Sequence, residues 1–216
     1  TEVARLIKSI SPNQRVIFPN TNSGYGNAGK EICTEETPLN SISIYGSSKE
    51  LAEEVVLEHP NSTVFRLATV FGSSFRPRLD LIVNNFVYLA KTTGKIEVFE
   101  GQFKRNFVHL LDVLNMFVDC IEDSRMCQQV YNLGNDKLNM TKIDLAKQMQ
   151  QHFSVEISEG SQKDPDQRDY VVSNQKLLNL GHKILTDLNY GIIELDFMLN
   201  NIDLNNSELL KTMRNI

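Results

Sequence analysis

Long apolar runs, an excess of basic charge and any paired-cysteine pattern are missing from this sequence, and each absence removes a class of protein. No stretch reaches the roughly 18 consecutive apolar residues that a membrane-crossing helix needs, and the start of the chain has no charged segment followed by an apolar one. A membrane partner is therefore not expected. Lysine and arginine number 22 against 27 acids, a formal net charge of -5, and no basic stripe interleaves with aromatics. No nucleic-acid partner is expected either, because the electrostatic footprint of such a binder is missing. Cys33, Cys120 and Cys127 are odd in number, with neither a Cys-x-x-Cys spacing nor a neighbouring histidine cluster. They fit free thiols in a reducing compartment, offer no disulfide framework or metal site, and make the cytoplasm the expected location.

What is present is enough for a folded protein. Hydrophobic residues make up 41% of 216 positions and charged residues only 23%, which allows one substantial core or two small ones. Small molecules are the expected partners. The chain starts at Thr1 and opens at once on a helix-like segment, Glu2 to Ile10, that would need earlier residues to pack against. A fragment of a longer protein is expected.

Arg15-Val-Ile-Phe18 reads as a buried strand ending at Pro19, followed by a polar, glycine-rich loop from Asn20 to Lys30. From Tyr45 to Glu58 the pattern turns helical, with Leu51, Val55 and Val56 on one side, until His59-Pro60 stops it. Ser62 to Ala68 is strand-like again, and this alternation is the signature of a parallel sheet with crossover helices. Further on, helices are expected over Asp80 to Lys91 and Asp112 to Ile121, and strands over Lys95 to Phe99 and Val130 to Leu133. Thr141-Lys-Ile-Asp144 resembles a capping box opening a helix to His152, and a last helix is expected near Asn174 to Leu180.

Tyr45-Gly-Ser-Ser-Lys49 sets a phenol and an ammonium four residues apart, on one face of a helix at its first turn. A tyrosine of ordinary pKa, about 10, is a poor base at neutral pH, but a nearby ammonium favours its phenolate. The spacing alone is weak evidence. Its neighbours strengthen it. Thr21-Asn-Ser-Gly-Tyr-Gly26 follows a strand about two dozen residues upstream, Phe65-Arg-Leu-Ala-Thr-Val-Phe-Gly72 and Arg76-Pro-Arg-Leu-Asp-Leu-Ile-Val-Asn84 lie downstream, and Arg105-Asn-Phe-Val-His-Leu-Leu-Asp112, Tyr131-Asn-Leu-Gly134 and Asp164-Pro-Asp-Gln-Arg-Asp-Tyr170 complete the series. In this order the motifs resemble the extended short-chain dehydrogenase/reductase family of NAD-dependent, nucleotide-sugar-modifying epimerases and dehydratases.

The resemblance implies an α/β fold: the C-terminal part of a Rossmann-type parallel sheet with a smaller α+β substrate-binding domain. Residues 1–74 and 106–137 would belong to the partial dinucleotide-binding domain, and residues 75–105 and 138–216 to the nucleotide-sugar domain. It makes Tyr45, Lys49 and Thr21 the catalytic group, and it sets Tyr45, Lys49, Ala68 and Val70 beside NAD, with NADP as the alternative. Thr69, Asn84, Arg78, Arg105 and Arg168 would touch a nucleotide-diphospho-sugar. Planar, bidentate guanidinium groups suit a diphosphate, which supports the arginines independently. Asn85 is an alternative to Asn84, and Thr69 stands where relatives often carry Asn.

The implied chemistry is oxidation of a sugar hydroxyl, commonly at C4, to a keto-sugar, in an epimerase or dehydrogenase of surface-polysaccharide biosynthesis. Dehydratases of the family usually carry Asp-Glu after the active-site Thr, whereas this chain has Asn22 and Ser23. A nucleotide-sugar-binding module without redox activity is the alternative. The family's Gly-x-x-Gly-x-x-Gly loop should lie about a hundred residues before Tyr45, where only 44 residues stand, and Gly24, Gly26 and Gly29 read as active-site loop glycines instead. The complete enzyme is expected to be a homodimer, using Glu50 to Glu58 at its interface, and this chain alone is expected to lack NAD binding.

Overall fold

The strand-like segment Ser62-Thr-Val-Phe-Arg-Leu67 is the middle strand of a three-stranded parallel sheet in a computed structural model that describes residues 2–161 and 168–214. In chain order the elements are α1 (Glu2–Ser9), β1 (Val16–Thr21), β2 (Asn27–Cys33), α2 (Ile44–Leu57), β3 (Ser62–Leu67), β4 (Thr69–Phe71), α3 (Ile82–Thr92), β5 (Lys95–Phe99) and β6 (Lys104–His109). They continue with α4 (Leu110–Glu122), β7 (Gln129–Leu133), β8 (Asn139–Thr141), α5 (Lys142–Met149), β9 (Glu156–Gly160), β10 (Asp169–Val172), α6 (Gln175–Asn179), α7 (Leu188–Asn200) and α8 (Ser207–Thr212).

The main sheet runs β1-β3-β7, with Val16 opposite Ser62 and Leu67 opposite Leu133. Parallel neighbours need crossovers, and α2 and α4 lie on the two connections. β3 is buried almost throughout, as a strand covered on both faces should be. β1 differs from its expected form. It continues through Pro19 to Thr21 and is half-buried for most of its length. Among the described residues it pairs with β3 alone, so the proline's missing N–H falls on an open edge where no ladder bond is lost.

The stretch after β1 is also more ordered than a loop. Asn22–Tyr25 is a single 3-10 turn capped by Thr21, and β2 then pairs in parallel with β10. Gly26 makes the junction possible: its φ is +62°, and a Cβ there would stand 2.2 Å from the Asn40 carbonyl oxygen. Two smaller sheets, β4-β6-β8 and β5-β9, complete the strands.

The largest core joins Phe71 of β4 and Phe107 of β6 to Val83 and Phe86 of α3, Leu145 and Met149 of α5, and Ile192 and Leu195 of α7. A second core packs Phe65 and Leu133 of the main sheet against Val113 and Met116 of α4. The Thr141 cap is as expected: its side chain accepts the Asp144 N–H at 3.1 Å and opens α5. Asp187 caps α7 in the same way, accepting the Tyr190 N–H at 2.7 Å. None of the described helices is long and apolar enough to cross a membrane.

Candidate active site

Three side chains spaced four apart along α2 set the site's position. Ser43 caps the helix by accepting the Gly46 N–H at 3.0 Å, which puts Tyr45, an exposed residue, in the first turn. One turn on, Lys49 donates from Nζ to the Pro19 carbonyl at 2.8 Å and lies 4.6 Å from the centre of the Phe18 ring. Partial burial pushes its ammonium below the ordinary lysine value. After another turn, Glu53 is buried against Arg66 of β3, with Oε1 2.6 Å from Nη2 and Oε2 3.2 Å from Nε, and also accepts from Asn20 Nδ2. The helix is thus fixed to the end of β1 through the same face that carries Tyr45.

Thr21 closes β1 two residues beyond the Lys49 contact. Its Oγ1 accepts the Ser23 N–H at 3.1 Å and donates to Ser23 Oγ at 2.8 Å. Ser23 is buried and also accepts a hydrogen bond from Arg168 Nη1. A chain of two hydrogen bonds therefore joins Arg168 to Thr21.

Arg168 in turn lines a cavity of about 820 Å³ between α3, β5 and β6, together with Thr69 and Arg105. Arg105 is buried and stacks near the Tyr170 ring, 5.8 Å from its centre. Thr69, Arg105 and Arg168, read from separate motifs, meet in one space. The apolar wall comes from Phe86, Leu89 and Val98, and such a mixture of apolar surface with a few convergent polar groups is typical of ligand sites. Asp164 to Gln167, the first part of the motif that contains Arg168, lie outside the described residues.

Other expected contacts sit elsewhere. Arg78 is not among the cavity-lining residues, and it grips Asp80 bidentately, Nε to Oδ1 at 2.7 Å and Nη2 to Oδ2 at 2.5 Å. These hydrogen bonds push its guanidinium above the ordinary value. Asn84 is buried with Oδ1 accepting the Gly72 N–H at 3.2 Å, while its neighbour Asn85 lines the cavity. Ala68 donates its N–H to the Leu133 carbonyl at 2.9 Å, and Val70 pairs with Val108.

Lys142 is one of several cavity residues outside the sequence motifs, with Asn85, Lys95 and Glu97 among the others. It is buried at the first position of α5, lines the cavity and has Nζ 5.5 Å from the centre of the Phe103 ring. A lysine in the first turn of a helix opposes the macrodipole, and that local conflict was the available signal. Ser23 gave no comparable sign, since a loop hydroxyl normally serves a turn. Among the described residues no group of three or more histidine, cysteine or carboxylate side chains is placed to hold a metal.

Comparison with known proteins gives this arrangement its class. A model of the NAD dependent epimerase/dehydratase family matches residues 1–134, and the chain belongs to that family. The dTDP-D-glucose 4,6-dehydratase of Mus musculus is 24% identical over 185 residues, covering 79% of this chain and 51% of that protein. The crystal structure of dTDP-glucose 4,6-dehydratase from Bacillus anthracis in complex with NAD is 21% identical, covering 92% of this chain and 66% of its own, with a TM-score of 0.76. MoeE5 in complex with UDP-glucose and NAD is 20% identical, covering 93% and 71%, with a TM-score of 0.78. The fold is Rossmann-type, and the chain spans about half the length of the curated relative it matches.

Proposed function

We propose that this chain carries the catalytic residues and the nucleotide-sugar cavity of an NAD-dependent enzyme that oxidises a nucleotide-diphospho-sugar at C4 to a keto-sugar. The observation that carries the reading is the hydrogen-bonded path Arg168–Ser23–Thr21, which links the cationic cavity to the hydroxyl expected at the reacting carbon. Arg105 and Arg168 would hold the diphosphate, Thr69 would lie beside the sugar, and Thr21 would hydrogen-bond the hydroxyl that Tyr45 deprotonates. Lys49 would hold the nicotinamide ribose from its anchor on β1.

The residues present fit one end of NAD. Tyr45 is exposed at the start of α2 and Lys49 is presented beside it, but the 216 residues contain no Gly-x-x-Gly-x-x-Gly turn to receive a pyrophosphate. When bound, NAD supplies the hydride acceptor. Calorimetry on this chain should detect no NAD binding, and a micromolar Kd would refute that part of the reading.

Epimerase or dehydrogenase is favoured over dehydratase, although two of the proteins compared are dTDP-glucose 4,6-dehydratases. Asn22 and Ser23 are buried, and Ser23 is engaged by both Thr21 and Arg168, so this turn offers no acid and base pair for eliminating water. The reading includes the two-unit division at residues 75–105 and 138–216, a role in surface-polysaccharide biosynthesis and a cytoplasmic location, in accord with three free thiols. It also includes a homodimer through Glu50 to Glu58, from α2 to its C-terminal cap, where Leu51 is exposed.

The test is binding of a nucleotide-diphospho-sugar, with GDP-glucose and UDP-glucose as the probes, followed by calorimetry. The chain should bind at least one of them, and Arg168→Ala should weaken binding about tenfold to a hundredfold, the worth of a hydrogen bond to a charged group. Equal affinity in the variant, or no binding by the parent chain, would overturn the reading.

A further inference from the structure

The cavity wall has two chemically different parts. Arg168, through Ser23, is tied to the catalytic turn, which makes its part of the wall the sugar side. Another part comes from β5 and β9, a sheet separate from those of β1 and β10. Lys95 and Glu97 are two apart on β5 and therefore on one face of the strand, both line the cavity, and Ser158 of β9 is the register partner of Glu97. The Glu97 carboxylate lies against Gly160, where a Cβ would stand 2.9 Å from Oε1.

A carboxylate at this place needs an explanation, because it repels a diphosphate. Asp80, the other acid on the wall, is taken by Arg78. Glu97 faces the cavity with Lys95 beside it on the same strand. With the sugar on the Arg168 side and the diphosphate on the arginines, the part of the wall built by β5 and β9 is left for the nucleobase. A carboxylate accepts and does not donate, whereas an ammonium donates and does not accept. Side by side they match an edge that offers two neighbouring N–H donors and, next to them, a carbonyl oxygen. Guanine offers that edge in N1–H, N2–H and O6. Uracil and thymine set carbonyl oxygens on both sides of a single N–H and would direct one of them at Glu97. Adenine and cytosine each place a ring acceptor beside the amino group.

We infer that Lys95 and Glu97 read the base of the nucleotide-sugar and select guanine. Glu97 accepts from N1 and N2, and Lys95 donates to O6 after leaving Glu156, an exposed partner at 3.8 Å whose loss has little consequence. Phe99, which also lines the cavity, offers a ring for the base to stack on. This rests on the nucleotide-sugar reading and adds to it the identity of the nucleotide.

Calorimetric titration of the 216-residue chain with GDP, UDP, dTDP and ADP tests it. GDP should bind at least about tenfold more tightly than the other three, in the range that a bidentate contact to a base supplies. Glu97→Gln should lose about tenfold for GDP and narrow or remove its advantage over UDP, and Lys95→Met should weaken GDP a few-fold. Both side chains are exposed, so unchanged melting temperatures will show that the variants fold. Affinities that do not favour GDP, or a GDP preference that survives undiminished in Glu97→Gln, would overturn the base selection while leaving the nucleotide-sugar reading intact. Failure of all four nucleotides to bind would overturn both.

Discussion

Removing the Glu53 carboxylate should destabilise this protein more than most single substitutions, and the reason lies in its partner. Glu53 and Arg66 both have side chains only 7% exposed, and their contacts are 2.6 and 3.2 Å. Arg66 also donates to Tyr25 Oη at 3.0 Å and to the Glu35 carbonyl at 3.2 Å, while Asn20 Nδ2 donates to Glu53 Oε2 at 2.5 Å. In Glu53→Ala the guanidinium keeps its burial and loses its counter-charge, a change that costs about 3–5 kcal/mol. The pair itself contributes much less, because desolvation offsets most of its attraction. Glu53→Leu combined with Arg66→Met should therefore recover part of the loss. Full recovery is not expected, since Tyr25 Oη and the Glu35 carbonyl lose a donor. Urea denaturation of the two single variants and the double variant gives the coupling energy directly. A Glu53→Ala loss under about 1 kcal/mol would refute the argument, showing that water reaches Arg66.

Burial pushes the Tyr25 phenol up from 10.0 to about 12, only partly opposed by Arg66. The folded chain then keeps a proton that the unfolded chain releases, so stability falls as pH rises from about 10 to 12, by about 1.4 kcal/mol per unit at most. Cys33, raised by burial from 9.0 to about 11, acts in the same direction over pH 9 to 11. Urea midpoints measured across this range should fall, and Tyr25→Phe should flatten the upper part; an unchanged slope would show that Tyr25 is not its source. Gly191 of α7 faces Phe71, whose ring lies 2.3 Å from the position of an added Cβ. Alanine normally favours a helix by about 1 kcal/mol over glycine, but here overpacking should exceed that gain and lower the melting temperature, by an amount worth about 1–2 kcal/mol.

Helices and strands that carry their own local signals are legible in the sequence. α2 follows from Val55, Val56 and the stop at His59-Pro60, although Leu51 of the same expected face is exposed and Glu53 is buried against Arg66, and β3 follows from its β-branched and aromatic residues. The form of β1 beyond Pro19 is not legible, because a proline reads as an ending until one knows that, among the described residues, its strand pairs on one side only. β2 escapes for a related reason: its residues are polar and glycine-rich, and it becomes a strand only by pairing with β10, whose residues are more than a hundred positions away. The residues expected at the cavity come from motifs, and three of them, Thr69, Arg105 and Arg168, line it. Arg78 and Asn84 come from a further motif, Arg76 to Asn84, but nearer groups occupy them, and the Arg-x-Asp spacing of Arg78 and Asp80 announces one of those pairings. Lys95 and Glu97 look like the solvent side of an alternating strand, and only the position of β9 makes that side a wall.

Asn22 breaks the rule that buried polar groups are paired. It is 1% exposed, and among the described residues neither its Oδ1 nor its Nδ2 has a hydrogen-bond partner. A stable fold gains nothing from this, and violations of this kind cluster where function demands them. Two substitutions separate the consequences. Asn22→Leu keeps the volume and removes the unsatisfied groups, so stability should stay level or rise, by up to about 1–3 kcal/mol. Asn22→Asp places a carboxylate with no donor to receive it, and burial raises its folded-state pKa above the ordinary value of about 3.9. The folded state then binds a proton more readily than the unfolded state, so the variant should approach the parent's stability below about pH 4 and lose ground as pH rises through neutrality. Urea unfolding at pH 4, 5.5 and 7 would measure it. An aspartate variant as stable as the parent at pH 7 would mean that the turn already supplies donors to a carboxylate there, and the buried Asn22–Ser23 turn would no longer argue against dehydration.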